Sequence, residues 1–407
     1  LTDVARLSLQ DKAPPRTWSP EVSLASLAPL AQNRAQPTKA FGGSMPGYTL
    51  YGADVSYYTG KARAYLDWRG VDYVEELATQ QVYRDIILPS VGWPVIPVMK
   101  TPDGEIVQDT TDIIEHIEAA EGLSPPAIPD GPVQAFVAQL LQLYADEWLV
   151  IPAMHYRWNY NEDWAYQEFG AISAPDRPAP EQYEIGKRNG ERFKGALPPL
   201  GVSPTTAPAI EQSYEAFLRE FSAHLEVHPY ALGGRATLAD FALYGPLYAH
   251  LYRDPASGDL MRRYAPKVAD WVERVKAGSP PQGDLPANDE IPVTLVPILA
   301  RQMREQFPAL HQTAQLFANW AETASPGTHV PRAVGQIEID IEDTQGPAAA
   351  RTFPLWRLQA ALDAYAALDG DALARADDLL ERVRGSALKE FSLPAQLARA
   401  DYRLALA

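Results

Sequence analysis

Over residues 45–120 the hydrophobic pattern keeps switching between the strand period and the helix period, and no other feature narrows the fold as far. Tyr48 to Tyr51 is a short apolar run that reads as a strand. From Gly60 the apolar positions Ala62, Tyr65 and Leu66 fall at helical spacing, so Lys61 to Arg69 reads as a helix ended by Gly70. Val71 to Leu77 reads as a second strand and 78–88 as a polar helix. Trp93 to Met99 and Glu105 to Val107 form a hairpin turned by TPDG, and a helix carrying Ile113, Ile114 and Ile117 starts after Asp109. The order βαβαββα is that of a small α/β sandwich.

Pro132 to Ala277 reads as helix interrupted by proline-rich breaks. VQAFVAQLLQLYADEWL and IEQSYEAFLREFSAHLE are periodic, and Thr237-x-x-Asp240 is a capping box opening another apolar helix. Beyond 280 helices are expected at 292–306, 308–322, 355–368 and 371–385. Between them Ile337, Ile339 and Ile341 alternate with Glu338, Asp340 and Glu342, the pattern of a one-faced strand; Thr344 to Pro347 is expected to turn it and Ala350 to Phe353 to return.

Residues 1–44 carry Pro14, Pro15, Pro20, Pro29 and Pro37 and no sustained period, and Gly42-Gly43-Ser44 precedes Met45. Two readings stand for them: a fused peptide or leader held near its binding surface by a short linker, or a natural disordered arm. The expected divisions are 1–44, 45–125, 130–280 and 281–407.

Composition removes several functions. The net charge of −17 opposes nucleic acid as the main partner, because phosphates are repelled. No apolar run has the length of a membrane span, and the first residues lack a signal-peptide pattern, so a cytoplasmic protein is expected. There is no cysteine, hence no disulfide, thiolate metal site or cysteine nucleophile. Of the histidines only His224 and His228 have the spacing of a helical zinc site, and they fall at an expected helix end, so no metal is expected.

Ser56, Tyr57, Tyr58 and Thr59 stand where the first strand hands over to a helix. Hydroxyls there cap the helix or face an anion drawn to its N-terminus. Ile96-Pro97 puts a proline in an apolar strand, where it is otherwise disfavoured. Asp109-Thr110 opens a helix, as a cap or as an anion site.

In this order SYYTGKAR, VIPVM, QDTTDIIEHI and GGRATLADFAL resemble the motifs of the glutathione transferase superfamily of serine type, over roughly 46–277. The resemblance implies an α+β/α architecture: a thioredoxin-like βαβαββα domain, an all-helical domain, and here a helical C-terminal extension with a β-hairpin. It implies glutathione as co-substrate and no metal. Ser56 would donate to the sulfur, with Tyr51, Tyr58 and Thr59 as alternates. Ile96 and Pro97 would present backbone to the cysteinyl part. Thr110 would take the γ-glutamyl carboxylate and Asp109 its amino group, with Lys61 as a further anion contact. Lys61 and Arg63 oppose the helix dipole, so an acidic partner is expected, for Arg63 one in the helical domain.

Trp148, His155, Arg157 and Trp158 stand on the helix that in the family faces the second-substrate pocket; helix packing is their other reading. Asp146 and Arg157 share a face if that helix runs through Pro152. The function expected is attack of the glutathione thiolate on a small electrophile, with a homodimer as a further expectation. The alternative is a non-catalytic binding or scaffold protein of the same fold that recognises a peptide, residues 1–40 being a candidate ligand.

Overall fold

The computed structural model describes residues 47–122, 124–278 and 283–407; the expected leader and the peptide reading attached to it lie outside these. The first domain runs β1 (Tyr48–Gly52), α1 (Tyr57–Arg69), β2 (Tyr73–Leu77), short helices α2 (Gln80–Val82) and α3 (Leu88–Val91) joined by a π-turn, β3 (Val98–Lys100), β4 (Ile106–Gln108) and α4 (Thr110–Glu121). The strand order is β2-β1-β3-β4, with β1 parallel to β2 and antiparallel to β3, and β3 antiparallel to β4.

Register fixes what this sheet presents. Tyr51 lies opposite Val98, and Val98 opposite Gln108. The C-terminal end of β1, the N-terminal end of β3 and the C-terminal end of β4 therefore share one margin. Ser56, Pro97 and Asp109 are all delivered there, although the chain separates them widely.

The helical domain contains α5 (Pro132–Glu147), α6 (Val150–Tyr160), α7 (Glu162–Ser173), α8 (Ala179–Lys194), α9 (Ala207–Leu225), α10 (Leu238–Ala249), α11 (Pro255–Tyr264) and α12 (Pro266–Lys276). Helix α10 opens on the expected capping box, the Thr237 N–H donating to Asp240 at 2.9 Å. It is buried throughout, packed against α1 and α5, and so ties the two domains through one apolar core.

The extension runs α13 (Val296–Ala321), β5 (Ala333–Ile341), β6 (Thr344–Arg351), α14 (Phe353–Ala366), α15 (Gly370–Arg382), β7 (Leu397–Ala400) and β8 (Arg403–Leu406). Where two helices were expected around Pro308, one helix passes through it. The lost backbone bond is outweighed by packing: Gln302 and Gln306 also donate to the Leu140 and Leu143 carbonyls of α5 at 2.7 and 3.0 Å. The β5–β6 turn falls at Glu342-Asp343 rather than 344–347, both residues adopting the positive φ that a two-residue hairpin needs. Ile337, Ile339 and Ile341 face inward as their alternation required. The β7–β8 hairpin was not expected.

Candidate functional site

Ser56 is the N-cap of α1: its backbone is extended and its Oγ accepts the Thr59 N–H at 3.2 Å. This is why α1 begins at Tyr57, ahead of the apolar spacing. Ser56 is half-buried, and among the described residues no acceptor takes its hydroxyl proton.

The other candidate hydroxyls are settled differently. Tyr51 packs into the cluster of Ala78, Val82, Ile87 and Val98 on the α2–α3 side of the sheet. Thr59 is fully buried against Gly52, where a Cβ would approach its Cγ2 to 2.2 Å, so only glycine fits. Tyr57 donates to the Ala145 carbonyl, and Tyr58 to the Asp146 carbonyl at 3.1 Å. Burial first, then nearby acidic groups, raises both phenols well above the ordinary tyrosine value.

Along the same margin Ile96-Pro97 is a cis peptide, with Pro97 buried and Ile96 half-buried. Asp109 follows β4 at φ 91°, ψ 142°, a costly backbone for a residue with a Cβ, and its Oδ1 accepts the Thr111 N–H at 2.9 Å. Thr110 is buried at the first turn of α4.

Around these residues lies a charge cluster that the sequence did not disclose. Lys61 is wholly buried, its Nζ 2.6 Å from Asp146 Oδ2. Burial pulls this ammonium below the ordinary lysine value, with Asp146 pushing back and Arg357 adding to the fall. Lys61 therefore holds the two domains together, where the expectation placed it on the ligand. Arg63, expected to reach the helical domain, pairs instead within its own domain, with Asp54 at 2.8 Å and Glu75 at 2.6 Å.

The extension supplies the rest. Arg357 of α14 pairs with Asp109, and its Nε lies 3.9 Å from Asp146. Its guanidinium stacks 4.1 Å from the Trp356 ring. Arg399 of β7 donates to Gln108 Oε1 at 2.5 Å and lies 3.6 Å from Asp112. Arg351 of β6 meets Glu147 at 2.9 Å and its carbonyl at 2.7 Å. Tyr402 donates to the Ile106 carbonyl at 3.3 Å.

The acidic members respond unequally. Burial works against the charged form of Asp109, yet Arg357, Lys61 and Arg399 hold its carboxyl below the ordinary range. Asp112 is pushed up to about 7 by burial and then by Asp109, against Arg399 and Arg357. Glu147 is pushed up to about 7 by burial, which Arg351 only partly offsets.

The four second-substrate candidates are dispersed. The helix breaks between α5 and α6 at Trp148 and Leu149, so Asp146 and Arg157 do not share a face. Arg157 forks onto Asp254 at 2.7 and 2.8 Å and donates to the Ala249 carbonyl at 2.6 Å and the Val55 carbonyl at 2.8 Å. It thereby fixes the residue before Ser56. His155 lies between Glu211, at 2.9 Å, and Asn159, at 2.7 Å. Trp158 packs on Tyr166 and Phe169 in the core. Trp148 donates to Glu305 at 3.3 Å and borders a small cleft with Glu147, Arg351 and Pro354.

Among the described residues no group of acidic or histidine side chains is placed to hold a metal, and no helix is long and apolar enough to cross a membrane.

Two family models match the chain: the glutathione S-transferase N-terminal domain over residues 50–125 and the glutathione S-transferase C-terminal domain over 204–274. No curated protein matches. Among solved structures, a glutathione S-transferase from Rhodospirillum rubrum F11 is 19% identical, over 60% of this chain and 96% of its own, with a TM-score of 0.37. A beta-etherase from Sphingobium sp. strain SYK-6 is 17% identical, over 56% of this chain and 95% of its own, with a TM-score of 0.41. A glutathione S-transferase of Ceriporiopsis subvermispora, solved in complex with glutathione, is 16% identical, over 59% of this chain and 99% of its own, with a TM-score of 0.41.

Proposed function

Because the chain belongs to the glutathione transferase superfamily, we propose that it binds glutathione along the margin of Ser56, Pro97 and Asp109 and directs its thiolate at a small electrophilic substrate. One observation carries this reading. Of the candidate hydroxyls, Ser56 is both partly exposed and left with its proton unassigned, at the N-terminus of α1.

The chemistry needs that proton. A free thiol near pKa 8.5 is only a few per cent ionised at neutral pH. Lowering it by about two units takes about 3 kcal/mol of preferential anion stabilisation. A hydroxyl hydrogen bond to a charged sulfur contributes about 1.5–3 kcal/mol, and a helix N-terminus up to about 2 kcal/mol. In this reading the Ile96 backbone meets the cysteinyl part, Thr110 the γ-glutamyl carboxylate and Asp109 the amino group. Of the second-substrate candidates, Trp148 borders a cleft with Arg351, and Arg157 holds the Val55 carbonyl beside Ser56. The setting is the cytoplasm, where glutathione is held reduced, and a homodimer remains part of the proposal.

A second reading, a protein of this fold that binds a partner without chemistry, draws on the Arg357–Asp109 pair, which neutralises a ligand-facing group. The rate of glutathione conjugation to an activated aryl halide separates the two. The transferase reading expects a measurable rate that falls about a hundredfold in Ser56→Ala, the scale of losing one anion-stabilising donor. No rate above buffer in the full chain favours the second reading.

A further inference from the structure

The extension ends up at Asp109, the carboxylate that the proposed reading assigns to the ligand's ammonium. Asp109 projects from a costly backbone at the start of α4, and its compensating cation is Arg357, distant by 248 positions in the chain. The approach is not incidental. Arg357 is buried, and its guanidinium is backed by the Trp356 ring at 4.1 Å and the Phe353 ring at 5.3 Å. Arg399 lies 5.3 Å from the same Trp356 ring while it binds Gln108. Gln359 of α14 pairs with the Leu397 backbone at 2.8 and 3.0 Å, so α14 and the β7–β8 hairpin seat together.

Cations and acids interleave here. Lys61, Arg351, Arg357 and Arg399 face Asp109, Asp112, Asp146 and Glu147, four formal cations against four acids. A zwitterionic γ-glutamyl end that reaches Asp109 finds that carboxylate already paired with Arg357. Either it leaves its own ammonium unpaired, which costs binding, or it displaces a cation already present.

We propose that Arg357 is a specificity-determining residue that occupies the ammonium subsite at Asp109, so that the closed protein does not read the amino group of its ligand. Glutathione gains that contact only when α14 withdraws. The proposal rests on the transferase reading for the identity of the ligand. It assigns the extension the role of an internal competitor for one end of the site, while the Ser56 hydroxyl proton stays unclaimed.

Calorimetry on the full chain tests this with two probes: reduced glutathione, and an analogue whose γ-glutamyl amino group is replaced by hydrogen. The wild-type protein is expected to bind both with similar affinity. Arg357→Met keeps the apolar stem against Trp356 and removes the cation. It is expected to bind glutathione about tenfold more tightly and to prefer it to the analogue by a similar factor, the scale of one charge-assisted contact. Weaker glutathione binding by Arg357→Met, or a wild-type preference of about tenfold for the amino form, overturns the proposal while leaving the transferase reading intact. No glutathione uptake by either protein overturns both. Hydrogen exchange on the unmutated chain is independent of how the variant folds: saturating glutathione is expected to speed exchange in residues 353–366, and unchanged or slower exchange there contradicts the displacement.

Discussion

The two ends of the sheet margin are built alike and finished differently. Each is a strand end that feeds a helix, and each places an oxygen-bearing cap at the helix start, Ser56 on α1 and Asp109 on α4. The Ser56 end is closed by its own domain and by Arg157, which grips the Val55 carbonyl and asks nothing of the serine proton. The Asp109 end is closed by the extension, which spends cations on it. Backbone grips from neighbouring helices leave a side chain available, whereas a buried counter-charge does not.

The largest test of this contrast lies beneath it. Asp146 is the carboxylate against which Lys61 is buried, with Arg357 behind it. Asp146→Ala leaves a buried ammonium uncompensated and is expected to cost about 3–5 kcal/mol in urea unfolding. A cost below about 1 kcal/mol would mean that the cluster does not bind the domains together, and the comparison would fail.

How far the sequence exposed this layout depended on the range of the interaction. The element order of the first domain and the existence of the expected hairpins followed from local period, although the β5–β6 turn falls at Glu342-Asp343, ahead of the expected 344–347. The capping box of α10 was readable in four letters. Helix α1 was placed late because Thr59, Gly60 and Lys61 are all buried, which erases the polar face that defines a stripe. The β7–β8 hairpin escaped because Asp401-Tyr402 turns it through two positive φ angles without an Asn-Gly or Asp-Gly signal. The Ser56 end needs only nearby residues and one resemblance. Arg357 on Asp109 needs the whole tertiary structure, and no periodicity links residues so far apart.

A smaller effect sharpens the comparison through pH. Glu147 and Asp112 have folded pKa values pushed up to about 7, above their ordinary 4.5 and 3.8. The folded protein thus holds protons that the unfolded chain releases, so these groups make stability fall as pH rises from the ordinary carboxylate range to about 7, with no further change above it. Asp109 acts in the opposite sense: its contribution is full above 3.8 and is lost as pH falls through its lower folded value. Buried His224 and His250, whose pKa values are lowered by burial, also act in the opposite sense to Glu147 and Asp112, so a variant is needed to isolate the effect. In thermal unfolding Glu147→Gln is expected to gain on the unmutated protein as pH rises toward 7. A variant that instead loses ground to the unmutated protein as pH rises would show that Arg351 rather than burial governs Glu147.

The central claim is that the Ser56 hydroxyl holds a glutathione thiolate at the start of α1. Titrating the thiolate absorbance of bound glutathione against pH tests it directly. The account predicts an apparent pKa about two units below the free value near 8.5, rising back toward that value in Ser56→Ala. A bound thiol that titrates at the free value in the unmutated protein, or one that Ser56→Ala leaves unmoved, contradicts it.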